Sequence, residues 1–320
     1  MTKRKPQLHK NDTVTLLISA LLFCLLLSCA VFLSSELGDM VRGALSFAVS
    51  TVIPAIFPYV LLTDFAVRFI HFERIEPIRQ AFERIFKING VALSAFVAGM
   101  LGGFPVGAHR AITLYKDGKI SKEECERLMG FANNPSPAYT VCAVGVGVFG
   151  SIRIGVILYF ITIASAVLTG ALFGTNKNYT ENINFNSEQK YSFVSSVKAA
   201  TAISLNVCAF TSAFSLIVGG VLLVFGDSLT SCLILPFAEI GNAVLFLSKS
   251  KAASFTVKLV AAAFSLSFSG LSVLMQSAAL ATEANLSMKE YMKCKLVAGA
   301  VSVILSLFVF RSVDFFISLC

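Results

Sequence analysis

Seven stretches of this chain run for 21 residues or more without a charged side chain, and that property leaves few folds open. They are 13–35, 43–63, 88–108, 128–152, 154–176, 199–226 and 259–282. A helix rises about 1.5 Å per residue, so each is long enough to cross the roughly 30 Å hydrocarbon core of a bilayer. Two further candidates are 228–248, interrupted by Glu239, and the shorter 296–310. Backbone N–H and C=O groups find no water in hydrocarbon, which makes the helix the default spanning element. The expected fold is an all-α polytopic membrane protein with about nine hydrophobic segments. Charged residues make up 14% of the chain, against about a quarter in a soluble domain.

The net charge of +8 does not call for a nucleic-acid partner. Lys and Arg collect between the apolar runs, as cytoplasmic loops require, and "MTKRKPQLHK" places the tail 1–12 in the cytoplasm. The run 13–35 reads as a retained transmembrane helix. It is long for a signal h-region and lacks an Ala-x-Ala site, although "LLSC" at 26–29 has the look of a lipoprotein cleavage site. Eight cysteines are scattered without a Cys-x-x-Cys pair, so no disulfide framework is indicated. His9, His71 and His109 are too dispersed for a metal site, and no cofactor is expected. "GVGVFG" at 145–150 fits Gly-x-Gly-x-x-Gly but lacks the strand and the later acidic residue of a dinucleotide site; its glycines suit close helix approach. No nucleophile–base arrangement supports an enzyme.

Two polar segments divide the chain. Residues 64–87 are amphipathic, with Arg68, Arg74, Arg79, Arg84 and Lys87 among acidic partners, and read as a cytoplasmic loop helix. Residues 175–198 are Asn- and Ser-rich and read as a linker between a first membrane half, 13–174, and a second, 199–320. The halves echo each other. "ISKEEC" at 120–125 resembles "LSMKEY" at 286–291, and both carry the Ser-x-x-Glu of a capping box, as Ser121/Glu124 and Ser287/Glu290. The same offset lays "GGFPVG" at 102–107 on "FSGLSV" at 268–273, and "PYVLLTD" at 58–64 has an echo in "PFAEIGN" at 236–242. The broken-looking runs are the third and eighth of nine, five crossings apart, so they would point in opposite directions. Paired interrupted helices in inverted repeats are the sequence pointer to a secondary transporter. Lys249, Lys251 and Lys258 would then lie outside, against the positive-inside tendency; a re-entrant hairpin at 228–248 is the alternative that changes the count.

The breaks supply the candidate site. Gly102, Gly103, Pro105 and Gly107 interrupt an apolar helix, and the resumed half-helix presents free N–H groups and a positive dipole end to an anion. His109 and Arg110 follow and add positive charge. In "FANNPSPAY", 131–139, Asn133, Asn134 and Ser136 stand among two prolines, a costly set at membrane depth unless it faces a solvated interior. In the second half Ser265, Ser267, Ser269, Gly270 and Gln276 offer neutral hydrogen bonds. Glu239, with Asn242 beside it, and Asp64 are the intramembrane carboxylate candidates for a coupling ion, Na⁺ or H⁺.

The ordered set "GGFPVGA", "KISKEECERL", "NNPSPAY" and "GVGVFGS" resembles the sporulation integral membrane proteins of endospore-forming Firmicutes, which carry the nucleoside-recognition gate domain. The resemblance runs from about Pro54 to the C-terminus, with its most specific motifs at 99–151. It implies a fold similar to concentrative nucleoside transporters. From the stage V members it implies transport of dipicolinic acid toward the forespore through the outer forespore membrane. The expected partners are a small anionic substrate, membrane lipids and a coupling ion, with a homo-oligomer left open. A nucleoside-type solute and a non-transporting scaffold for spore-envelope assembly are the alternatives.

Overall fold

The computed structural model describes residues 34–69, 74–174 and 193–317. The tail 1–12, the first apolar run up to residue 33, His71 and linker residues 175–192 lie outside the described residues, as does the side chain of Asp64. Among the described residues every regular element is helical.

The chain enters as α1 (Ser34–Phe47), passes a π-helical turn (Ala48–Val52) and continues as α2 (Ile53–Phe69). A short amphipathic helix follows, α3 (Glu76–Phe86), with Phe82 and Phe86 buried and Arg79 paired to Glu76 and Glu83 at 2.6 and 3.0 Å. Those hydrogen bonds hold the Glu76 carboxyl below, and the Arg79 guanidinium above, their ordinary ranges. Next come α4 (Leu93–Gly102) and α5 (Val106–Lys116), then α6 (Lys122–Ala132), a π-helical segment (Ala138–Val148) and α7 (Ile152–Leu172). The second half is α8 (Phe193–Phe225), α9 (Leu229–Ala238), α10 (Ile240–Lys249), α11 (Phe255–Phe268), α12 (Gly270–Glu283) and α13 (Lys289–Ile317). Helix α8 begins inside the expected linker, so 193–198 belong to the second half.

Length decides which elements cross. Helices α9 and α10 have 10 residues each, and α4 and α5 have 10 and 11. At about 1.5 Å per residue each reaches only half the hydrocarbon core. Both pairs fold back as hairpins. A Cβ on Gly107 would sit 3.0 Å from the Gly99 Cα, and Cys232 near the start of α9 meets Ser250 just past α10, Sγ to Oγ 3.4 Å. Among the described residues five helices are long and apolar enough to span: Ser35–Thr63, Ile152–Leu172, Phe193–Phe225, Phe255–Glu283 and Lys289–Phe310. We read the interrupted stretch 122–148, long enough to reach across with its break, as a sixth crossing. The pair Glu76–Phe86 and Gly90–Gly102 is bent by 103°; the ion-paired face of α3 suits the membrane surface, and only α4 enters. The eight apolar segments expected within the described residues thus become six crossings and two hairpins.

Among the described residues the order crossing, hairpin, interrupted crossing, crossing occurs twice. Each copy has three crossings, an odd number, so the second copy enters from the opposite face. This order corrects the pairing expected from the 166-residue offset. The tip at Gly103 corresponds to Glu239, and the break at 133–137 to Ser269; 102–107 does not correspond to 268–273. The offset aligned α6 with α13 because each needs a start signal. Ser121 and Glu124 do form a capping box, at 3.2 and 2.8 Å. Ser287 and Glu290 do not: the Ser287 N–H donates to Glu126 at 2.7 Å, and Glu290 pairs with Lys293. The glycines of "GVGVFG" act as expected, since a Cβ on Gly145 would strike the Gly155 Cα of α7.

The hairpin at 229–249 is the alternative foreseen for Lys249, Lys251 and Lys258, but the first hairpin cancels its effect on the count. These lysines remain on the face opposite α3 and the α5–α6 loop. Asp227 at the α8–α9 turn offsets them. It accepts from the Ser250 hydroxyl and from the Lys251 N–H at 3.0 Å, and these bonds hold its carboxyl below the ordinary aspartate range. A depressed carboxyl stabilises above its unfolded pKa and loses that contribution as pH falls through its folded value. Asp227→Asn should therefore lower the protection of the 250–254 amides near neutral pH, and remove the loss of protection, relative to the intrinsic exchange rate at each pH, that wild type should show on acidification.

Candidate functional site

The hairpin tips and the helix breaks meet. Gly103 at the first tip has φ +80°, and a Cβ there would lie 2.8 Å from the Ser136 nitrogen of the first break. Gly270 at the second break has φ +63°, and a Cβ there would lie 3.3 Å from the Glu239 Cα at the second tip. Glycine is needed at both, for positive φ and for close backbone approach. Each tip therefore seats on the interruption of the crossing that follows it.

Between the four discontinuities lies a cavity of about 60 Å³, with room for roughly five waters. Gly102 and Phe104 line it from the first tip, Ser136 and Tyr139 from the first break, Glu239 and Gly241 from the second tip, and Ser272 and Gln276 from α12. Val52, Ile56 and Val60 of the first crossing and Val207 and Thr211 of α8 close its apolar sides. Of the residues expected from sequence, Gly102, Ser136, Glu239 and Gln276 share this lining, and Gly103 and Gly270 support it from behind. Pro105 caps α5 after a cis Phe104–Pro105 bond, and Gly107 packs on the Ala132 carbonyl. Asp64 lies outside the described side chains.

The helix starts differ in how they are satisfied. Glu239 is the N-cap of α10: its two carboxylate oxygens accept from the N–H groups of Gly241 at 2.8 Å and Asn242 at 2.6 Å. The run 228–248, read from sequence as one apolar segment interrupted by Glu239, is thus broken into two helices at that residue. Asn242 follows the break, and its amide donates to the Thr211 carbonyl at 3.1 Å. Ser136 accepts from the Tyr139 N–H at the start of the π-helical segment. Helix α5, the half-helix expected to face an anion, and helix α12 carry no side-chain cap, and the first turn of α12 lines the cavity through Ser272. The first N–H groups of a helix have no intrahelical acceptor, so the α12 start holds donors for a ligand or water, whereas the Val106 N–H of α5 turns back on the Gly103 carbonyl at 2.8 Å.

Asn133 and Asn134 sit beside the cavity, fully enclosed. The Asn133 amide donates to the Ser277 and Tyr291 hydroxyls at 2.9 and 3.1 Å, and the Asn134 amide donates to the Phe131 carbonyl at 2.6 Å. Buried oxygens without a donor among the described residues remain at both breaks: Asn133 Oδ1 and Thr140 Oγ1 at the first, Ser267 and Ser269 Oγ at the second. Ser265 is structural, donating to the Pro236 carbonyl at 3.1 Å near the second tip.

Sequence reasoning missed Lys295. It lies one residue before the run 296–310 and reads there as a boundary charge, yet it is fully buried. Its ammonium donates to the Asn133 carbonyl and to Asn134 Oδ1, the latter at 3.1 Å, and lies 5.6 Å from the Phe104 ring centroid. The only sequence signal is helical spacing: Lys295 is one turn past Tyr291 on the α13 face that meets the break.

No family model matches the chain, and no solved structure matches it. It is 30% identical over 146 residues, 45% of this chain, to the sporulation integral membrane protein YlbJ of Bacillus subtilis (strain 168). The matched stretch is 35% of that relative, so the chain spans about a third of its length. The chain is an integral membrane protein by its own helices and is similar to a sporulation membrane protein. The gate domain that the resemblance implied has no matching family model.

Proposed function

We propose that this protein is a membrane transporter of a small anionic solute, with dipicolinic acid its first candidate substrate, acting in the outer forespore membrane during sporulation. One observation carries the reading. Two hairpins too short to cross the membrane place their tips on two interrupted crossings, around a single cavity lined by Glu239, Gln276 and two serines. Interrupted helices are tolerated in hydrocarbon where they line a solvated cavity, and sites of this kind at the repeat interface are the pattern of secondary transporters. A scaffold for envelope assembly has no need of such a cavity. The uncapped start of α12, whose first turn lines the cavity, favours negative charge on the solute, and the likeness to a sporulation membrane protein favours the setting.

Glu239 favours a second reading. A carboxylate in the lining is an acceptor for hydroxyl groups and repels an anion, which suits a neutral nucleoside-type solute. Its charge is partly offset by the helix start that it caps. Uptake of labelled dipicolinate into proteoliposomes separates the two. The anion reading expects saturable uptake above empty vesicles, inhibited by unlabelled dipicolinate and not by nucleosides. Uptake of nucleoside alone would favour the second reading, and absence of both would remove the transporter reading. Repeating the assay with and without Na⁺ and proton gradients identifies the coupling ion.

A further inference from the structure

The first break contains a charged group that the transport reading does not use. Where α6 ends, Asn133 is its C-cap, and the carbonyls there carry the negative end of the half-helix dipole. The Lys295 ammonium donates to the Asn133 carbonyl and to Asn134 Oδ1. The rings of Phe104 and Tyr291 stand 5.6 and 5.9 Å from it, both within cation–π range. No carboxylate pairs with it among the described residues, and the Oδ1 of Asn133, the residue whose carbonyl it meets, is buried with no donor among them. Neutral oxygens with aromatic faces are what a free monovalent cation binds. Unwound carbonyls and half-helix C-terminal ends are also where discontinuous membrane helices hold a coupling cation.

We propose that the oxygen cage at the first break is a monovalent-cation site whose permanent occupant is the Lys295 ammonium. The cage then requires no free Na⁺ or K⁺, and the tether from α13 fixes the break, the first hairpin tip through Phe104, and the last crossing to one another. The second break has no counterpart. Ser269, at φ +80°, is fully buried with its hydroxyl oxygen unpartnered, and the charged group beside that break is the Glu239 carboxylate at the facing tip. A free coupling cation, if transport uses one, therefore belongs to the second break and not to the first.

Removing the tether should expose the cage to free ions, and the measurement needs no substrate, so it stands apart from the transport reading. Purified protein is melted in detergent in choline, Na⁺ or K⁺ chloride at equal ionic strength, as wild type and as Lys295→Ala. The variant should melt at least about 5 °C lower in choline, since a buried polar network has lost its donor. Na⁺ or K⁺ should recover part of that loss saturably. The recovery should vanish in Lys295→Ala combined with Asn134→Leu, which removes a cage oxygen. Ethylammonium, a free copy of the lost group, should recover it as well. Should Lys295→Ala not survive purification, Lys295→Gln is melted instead; its amide is a neutral donor to the cage, so it should melt below wild type in choline and recover a smaller part of the loss in Na⁺, K⁺ or ethylammonium. Failure of Na⁺, K⁺ and ethylammonium alike to raise the melting temperature of the variant used would overturn the proposal. So would an equal recovery in the Asn134→Leu background.

Discussion

Gly99→Val should strip the first hairpin of its seat and lower the melting temperature in detergent by roughly 5–10 °C, the scale of a few kcal/mol in a protein of this size. The helices α4 and α5 cross at Gly99 and Gly107, and both lie on the Ala132 carbonyl at the end of α6. A Cβ on either would overlap that oxygen. The obstacle is backbone, and it cannot turn aside as a side-chain end can. The carbonyl is also one residue from Asn133, so displacing it disturbs the break and the Lys295 contact together. Gly220→Ala is the control. It lies inside α8 with nothing within 4 Å of a new Cβ, and there alanine should be neutral or gain up to about 1 kcal/mol from helix propensity. Equal melting of Gly99→Val and wild type would mean that the first hairpin is not docked on α6 in the membrane protein.

Glu239→Gln is expected to reduce uptake by at least about tenfold, with protein abundance in the membrane little changed. A carboxylate accepting two backbone N–H bonds at 2.8 and 2.6 Å makes charge-assisted bonds, each worth about 1.5–3 kcal/mol. Glutamine has one acceptor oxygen and no charge, so it caps α10 once and presents an amide to the cavity. Two patterns separate its roles. Loss of ion-dependent uptake alone assigns Glu239 to a coupling cation. Loss of pH dependence with surviving solute exchange assigns it to a proton. Asn242→Ala should share part of the defect, since the Asn242 amide ties the second hairpin to Thr211 of α8, which also lines the cavity. Uptake with unchanged rate, pH profile and ion dependence in Glu239→Gln would leave the residue as a helix cap only. Replacing both Asn133 and Asn134 by leucine should reduce abundance as well as transport, because the pair holds Tyr291, Ser277 and Lys295 rather than facing the cavity openly.

Several site residues were legible because their cause is local. Gly103, at φ +80°, and Pro105, which lacks an N–H, do not continue the helix that ends at Gly102, so the break follows from their own backbones. Glu239 inside an apolar run declares itself by the cost of its charge. Other readings failed where one signal serves two purposes. Ser-x-x-Glu marks a helix start wherever one occurs, so it aligned α6 with α13 and set the repeat in the wrong register. An apolar run of about twenty residues fits a crossing and a hairpin equally well, and 228–248 became two helices of 10 residues meeting at Glu239.

By itself the sequence determined the solvent, the helical class and the positions where helices must stop, because hydrocarbon excludes charge and unpaired backbone, and because Gly, Pro and a buried carboxylate act on their own neighbours. It required that the oxygens freed at those stops find donors. Which donors was decided only in three dimensions. The Asn133 carbonyl is met by Lys295, 162 residues away, and the first tip closes on Ser136 in the break of the next crossing. A freed carbonyl accepts any donor that packing brings within about 3 Å, and packing between distant helices is set by shape across the whole bundle, which no local stretch of chain encodes.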